Sequence, residues 1–197
     1  MRKGAISLVL LGTLGLGACS ADRLEVPNYN SPTPDGASAD PVVALQLAAS
    51  GILAANRAGL SPFVNTVGIM GRESYNYTPQ EGRNTSGYLR DADQNTSFSA
   101  GQSWGGRYAN LKNIANFKAI VEGATTLTDE DKQAALGFAN TFEAIELMYV
   151  VLTRHDYGGP VEIGELPTDI KPFVTPDSMY GYISAKLDDA KTNLLAA

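Results

Sequence analysis

Between Thr128 and His155, the residues Phe138, Phe142, Ile145, Tyr149 and Leu152 follow one another at steps of four, three, four and three. That is the period of one face of an α-helix; a strand, alternating every two residues, cannot gather these side chains on one side. Thr128 with Asp131 three residues on predicts the start, a capping-box pattern with Asp in place of the usual Glu or Gln. Similar signals recur along the chain. Asp40-Pro41 predicts a helix over 42–57, since Asp caps well and Pro suits the first helical position. Ser61-Pro62 repeats the signal and predicts a second helix to about Tyr75. Residues 103–122 form a third, with Trp104, Tyr108, Leu111, Ile114, Phe117 and Val121 on one face and Gly123 as its stop. Thr175-Pro176 opens a fifth, in which Tyr180, Ile183, Leu187, Ala190 and Leu194 keep the step. Residues 76–101 and 157–174 break the pattern with Gly, Pro and Asn; loops that long in a compact domain serve function or move. Val161-Glu162-Ile163 is the one segment with room for brief strand pairing. The fold class expected is all-α, an α-solenoid or irregular bundle of helical hairpins.

The amino terminus belongs to a different class of segment. Met1-Arg2-Lys3 is basic, and residues 4–18 are uncharged and apolar, too short to span a bilayer comfortably. A basic start, an apolar stretch and a small-residue end make a secretory signal. The end reads Leu16-Gly17-Ala18-Cys19, and Cys19 is the chain's single cysteine. This resembles the lipobox of bacterial lipoproteins, which implies a thioether-linked diacylglycerol on Cys19, cleavage before it and acylation of the new amino terminus. Cleavage would remove Arg2 and Lys3 but no acid, leaving a chain more acidic than the −6 of the whole. Gly12, Gly15 and Gly17 form no phosphate loop, because no strand–helix unit surrounds them. Residues 20–39, with Pro27, Pro32 and Pro34, read as an extended tether. Ser20, next to Cys19, is not the Asp associated with inner-membrane retention in enteric lipoproteins, which favours the outer membrane. The organisation expected is a signal peptide at 1–18, a lipidated tether at 19–39 and a helical domain from 40 to 197. No atypical capping element closes the last helix, so the domain is expected to be the N-terminal part of a longer one.

Composition excludes several functions. A single Cys rules out a disulfide framework, and with one His it rules out a multi-histidine or multi-thiolate metal site. Acidic charge argues against nucleic acid as a partner.

The order of features resembles the SusD/RagB family of outer-membrane nutrient-binding lipoproteins. Carrying the resemblance are Cys19, the leader Leu24-Glu25-Val26-Pro27-Asn28 with Asn30-Ser31-Pro32-Thr33, and Trp104, Tyr108, Leu111 and Ile114 on one helix. The turn Tyr157-Gly158-Gly159-Pro160 after Arg154-His155-Asp156, and the helix with Thr175-Pro176, Tyr180, Ile183, Leu187, Asp188 and Ala190, complete it. The match covers residues 16–197. It implies tetratricopeptide-like hairpins and a binding protein, not an enzyme. It also implies display on the bacterial outer membrane, a SusC-like TonB-dependent transporter as partner, and an oligosaccharide or peptide ligand. No cofactor is expected beyond the lipid. A periplasm-facing helical-repeat lipoprotein that scaffolds envelope proteins is the alternative, and a surface glycoside hydrolase a third.

Candidate ligand residues lie in the first long loop and its edges: Tyr75, Tyr77, Arg83, Asn84, Tyr88, Asp91, Asp93, Asn95 and Phe98. Tyrosines among amides suit a glycan or partner surface; a polar loop packing its tyrosines on its own scaffold gives the same pattern. Trp104 is the only Trp and a candidate sugar platform, although its place beside Tyr108 and Leu111 favours core packing. Other motifs fail on detail. Asp91-x-Asp93-x-Asn95 starts like a calcium loop but has Thr96 and Gln102 where Gly and Glu are needed. Asn84-Thr85-Ser86 and Asn95-Thr96-Ser97 are glycosylation sequons with no use behind a bacterial lipobox. His155-Asp156 lacks a nucleophile elbow, and Glu73 with Glu81 is a chance-level acid pair.

Overall fold

The computed structural model describes residues 41–75, 80–82, 84, 86–90, 104–154, 156–166 and 168–197. The chain divides into Met1–Gly36 and Ala37–Ala197, and every described residue lies in the second unit. The segments expected to be a signal peptide and a lipidated tether, with Cys19, lie outside the described residues.

Among the described residues the architecture is all-α: α1 (Pro41–Met70), a π-helical turn (Ser86–Arg90), α2 (Gly105–Gly123), α3 (Asp129–Thr153) and α4 (Pro176–Ala196). No strand forms among them; the only pairing is an antiparallel bridge between Gly159 and Val174, and 161–163 stays unpaired. The caps are chemical. Thr128 Oγ1 accepts from Asp131 N at 3.1 Å, and Thr175 Oγ1 from Ser178 N at 3.3 Å, each satisfying one orphan N–H. Pro176 then occupies the first turn of α4.

Two helices expected over 42–75 are one: α1 runs unbroken through Pro62. The proline's fixed φ is compatible with a helix, and its cost is the missing N–H bond to the Ala58 carbonyl plus local crowding. Ala58 is exposed, so water can take that carbonyl. The helix ends eight residues later in a Schellman motif, with Glu73 N on Gly68 O at 2.9 Å and Arg72 N on Ile69 O at 3.1 Å. Arg72 holds the left-handed position at φ 61°.

Contacts between neighbours fall in descending register, as antiparallel packing requires. Gly59 and Ile52 meet Arg107 and Asn110; Arg107 and Lys118 meet Glu146 and Asn140; Gly137 and Asn140 meet Leu194 and Asn193. Helix α3 is central. It packs on α2 and α4 and reaches α1 through Glu146. Its buried residues are Gly137, Ala139, Asn140, Ala144, Glu146, Leu147, Val150 and Val151, not the Phe138-to-Leu152 row. Phe138, Phe142 and Tyr149 are half-buried, and Leu152 is exposed. Small side chains let two neighbouring helices close on α3, while the larger row fills the flanks.

Two apolar clusters result. One joins Leu111, Leu147, Val150, Val151, Met179 and Ile183 across α2, α3 and α4; the other joins Leu45, Ile52, Ile114, Phe117, Val121 and Ala139 across α1, α2 and α3. The same helices carry a buried polar centre. Glu146, fully buried, accepts from Arg107 Nη1 at 2.9 Å, Asn110 Nδ2 at 2.7 Å and Asn56 Nδ2 at 3.0 Å. Asn110 Nδ2 also reaches the Ile52 carbonyl at 3.1 Å. The Arg107 guanidinium lies 4.0 Å over the Tyr149 ring, and its close pass explains Gly59, where a Cβ would come within 2.7 Å of its carbon. Arg107 Nη2 and Asn110 Oδ1 have no protein partner among the described residues. A paired buried ion is tolerated; an unpaired one is expensive, so this centre fixes α1, α2 and α3 to one register.

Helices α1 and α3 are long and apolar enough to cross a membrane by length and composition, and α3 spends that apolarity in the core.

Candidate functional site

The segment 157–174 forms a strap across α2. Gly158 starts it with φ 60°; its N–H and that of Tyr157 both reach the Arg154 carbonyl, ending α3. A side chain at Gly158 would drive into the Val174 carbonyl, so only glycine fits. Gly159 and Val174 exchange both backbone hydrogen bonds, at 3.3 and 3.1 Å, which ties the strap's ends together as in an Ω-loop. Within it, Lys171 pairs with Asp169 at 2.9 Å. That contact holds the Asp169 carboxyl below its usual range and lifts the Lys171 ammonium above its own.

Helix α2 pins the strap from below. Tyr108 donates its hydroxyl proton to the Pro160 carbonyl at 2.8 Å, and Lys112 Nζ donates to the carbonyls of Gly164 and Glu165 at 3.1 and 3.2 Å. Burial pushes the Tyr108 hydroxyl up to about 12, against a smaller opposite pull from the Arg154 charge. Val161, Ile163 and Val174 pack on the Leu111–Leu147 cluster.

Two faces flank the strap. At the Trp104 end, the indole lies 4.5 Å from the Tyr108 ring and stacks on Phe173 at 5.6 Å and 12°. The Arg154 guanidinium sits 4.7 Å from the Trp104 ring and 5.7 Å from Tyr157. Tyr157 and Phe173 are 72% and 56% exposed, so the cluster reaches the surface. At the other end is a groove of about 400 Å³ lined by Leu111, Ala115, Lys118, Glu143, Ile163 and Tyr182, among others. Lys118 pairs with Glu143 and also reaches Asn140 Oδ1 at 2.6 Å; Tyr182 donates to Glu143 Oε1 at 2.7 Å. Burial, then the bond to Glu143, raises the Tyr182 hydroxyl well above its usual range. Both phenols therefore stay protonated donors at neutral pH. The arrangement suits holding a polar ligand over an apolar floor.

The candidates from sequence divide. Trp104 is half-buried and takes part in both packing and the surface cluster. Tyr75 lies just past α1 and is half exposed. Asn84 and Tyr88 are buried, with the Tyr88 hydroxyl 3.2 Å from Thr66 Oγ1 on α1. Tyr77, Arg83, Asp91, Asp93, Asn95 and Phe98 lie outside the described residues, as does His155. Of the first long loop, Tyr88 is thus held at α1, while Trp104 packs on the second. Sequence reading passed over Arg154, Tyr157, Phe173 and the Lys118–Glu143–Tyr182 set. Arg154 and Tyr157 had a signal: a cation and an aromatic three residues apart, just before Gly158-Gly159-Pro160. Among the described residues no group of three His, Cys, Asp or Glu could hold a metal ion. Set against protein-family models, curated proteins and solved structures, the chain matches none of them.

Proposed function

We propose that this is a lipid-anchored binding protein of the bacterial outer membrane, built on SusD-like, tetratricopeptide-type hairpins. It captures an oligosaccharide or peptide and passes it to a SusC-like TonB-dependent transporter. It works by binding, without turnover. The observation that carries the reading is the lipobox Leu16-Gly17-Ala18-Cys19 followed by a proline-rich tether. Several acyl chains on one residue give stable anchoring, at about 0.8 kcal/mol per buried CH₂. The antiparallel all-α scaffold and the strap's aromatic and charged face are consistent with it. The test is Cys19→Ala. Loss of acyl labelling and release from the membrane fraction are expected; unchanged labelling refutes the anchor. Co-purification of a TonB-dependent barrel with the wild type tests the partner.

A second reading draws on α1, where Leu47, Leu53, Leu60, Val64 and Val67 are exposed. Such a surface suits protein contact and an envelope scaffold facing the periplasm. Shielding from protease on intact cells would favour it.

A further inference from the structure

The cations along the strap are engaged, with one exception. Lys112 binds two carbonyls, Lys118 pairs with Glu143, and Lys171 with Asp169. Arg154 has no ion pair and no side-chain hydrogen bond among the described residues, and its Nε is buried without a partner. Its place at the C-cap of α3 suits a positive charge. That accounts for a cation, but not for a guanidinium held against Trp104 and Tyr157 rather than turned to the helix carbonyls. The ring contacts hold the guanidinium in place, and its two terminal Nη groups, which make no hydrogen bond among the described residues, can grip a carboxylate with two parallel hydrogen bonds. Tyr157 beside it, and Phe173 stacked on the same Trp104, offer exposed ring surface.

We infer that the Arg154–Tyr157–Phe173 face binds an acidic sugar: Arg154 takes the uronate carboxylate and the rings take the C–H faces of the pyranose. This rests on the nutrient-binding reading and deepens it. Asp156, exposed and next to Tyr157 in the chain, opposes an anion, so its removal is expected to strengthen binding. A peptide carboxylate would satisfy Arg154 equally but leaves the two exposed rings without a role.

The experiment is calorimetric titration of the full chain, purified in detergent, with a galacturonate hexamer and its fully methyl-esterified counterpart. The esters keep the sugar rings and remove the charge. The acid form is expected to bind about tenfold or more tightly than the ester. Arg154→Gln should abolish that difference, with Arg154→Lys between the two. Phe173→Ala should weaken both ligands. Thermal melts establish that each variant is folded, and if Arg154→Gln is not, Arg154→Lys alone carries the comparison. Equal binding of acid and ester, a difference that survives Arg154→Gln, or no binding of either hexamer to folded wild type overturns the inference. So does binding only of a peptide with a free carboxyl terminus. Ester binding without acid preference leaves the nutrient-binding reading standing, whereas unchanged acyl labelling in Cys19→Ala strikes the anchor of that reading and leaves the acid–ester comparison as it was measured.

Discussion

Glu146 receives three side-chain donors from two other helices, and removing it strands the Arg107 charge in the core. Glu146→Ala is therefore expected to cost about 3–5 kcal/mol in urea unfolding. Replacing both partners together, Arg107→Met with Glu146→Leu, should be far milder, because nothing charged remains to be desolvated. A double mutant as unstable as the single one would show that the pair contributes more than its own compensation. Tyr108 makes a pH prediction. Its hydroxyl is neutral in both states below pH 10. Above that the unfolded chain ionises first, because the folded value sits at about 12. Stability should fall between pH 10 and 12, and Tyr108→Phe should remove that part of the slope while losing the bond to Pro160. Melts from pH 9 to 12 on both proteins read the difference. None of this centre was visible in sequence: Arg107, Asn110 and Glu146 look like ordinary surface residues of amphipathic helices, and only the third helix's position makes their side a core.

At the scale of the element, local chemistry was legible and tertiary choice was not. Thr128 and Thr175 cap the helices they were expected to cap, since a cap is decided within four residues. Pro62 misled for the same reason: it carries a start signal, yet packing of Leu45 and Ile52 on one side of it and burial of Ile69 on the other hold α1 together. The row from Phe138 to Leu152 correctly marked a helix and mistook its buried side, because the neighbouring helices close on the residues beside that row, among them Ala144, Leu147, Val150 and Val151. Among the described candidates, Trp104 lies in an aromatic cluster that reaches the surface, and Phe173 joins it through a turn that sequence spacing does not close. Two substitutions test these ends. Arg72→Gly should stabilise by about 1 kcal/mol, since glycine relieves the left-handed position that ends α1. Gly158→Ala should cost about 1–3 kcal/mol or more and make the strap cleavable by limited proteolysis, because it meets both positive φ and the Val174 carbonyl. Urea midpoints check the first, and midpoints with cleavage mapping the second.

For the whole molecule, a bundle pinned by a buried ion pair carries a strap that α2 holds from below and on which Tyr157 and Phe173 are exposed, and the proposed recognition falls to that strap. The proposed lipid at Cys19 would hold the chain at a bilayer. The account turns on which side of the outer membrane this is. Intact cells treated with a non-permeant protease give the most direct answer. The account predicts that the protein is degraded while a periplasmic marker survives; complete protection until the outer membrane is permeabilised would contradict it.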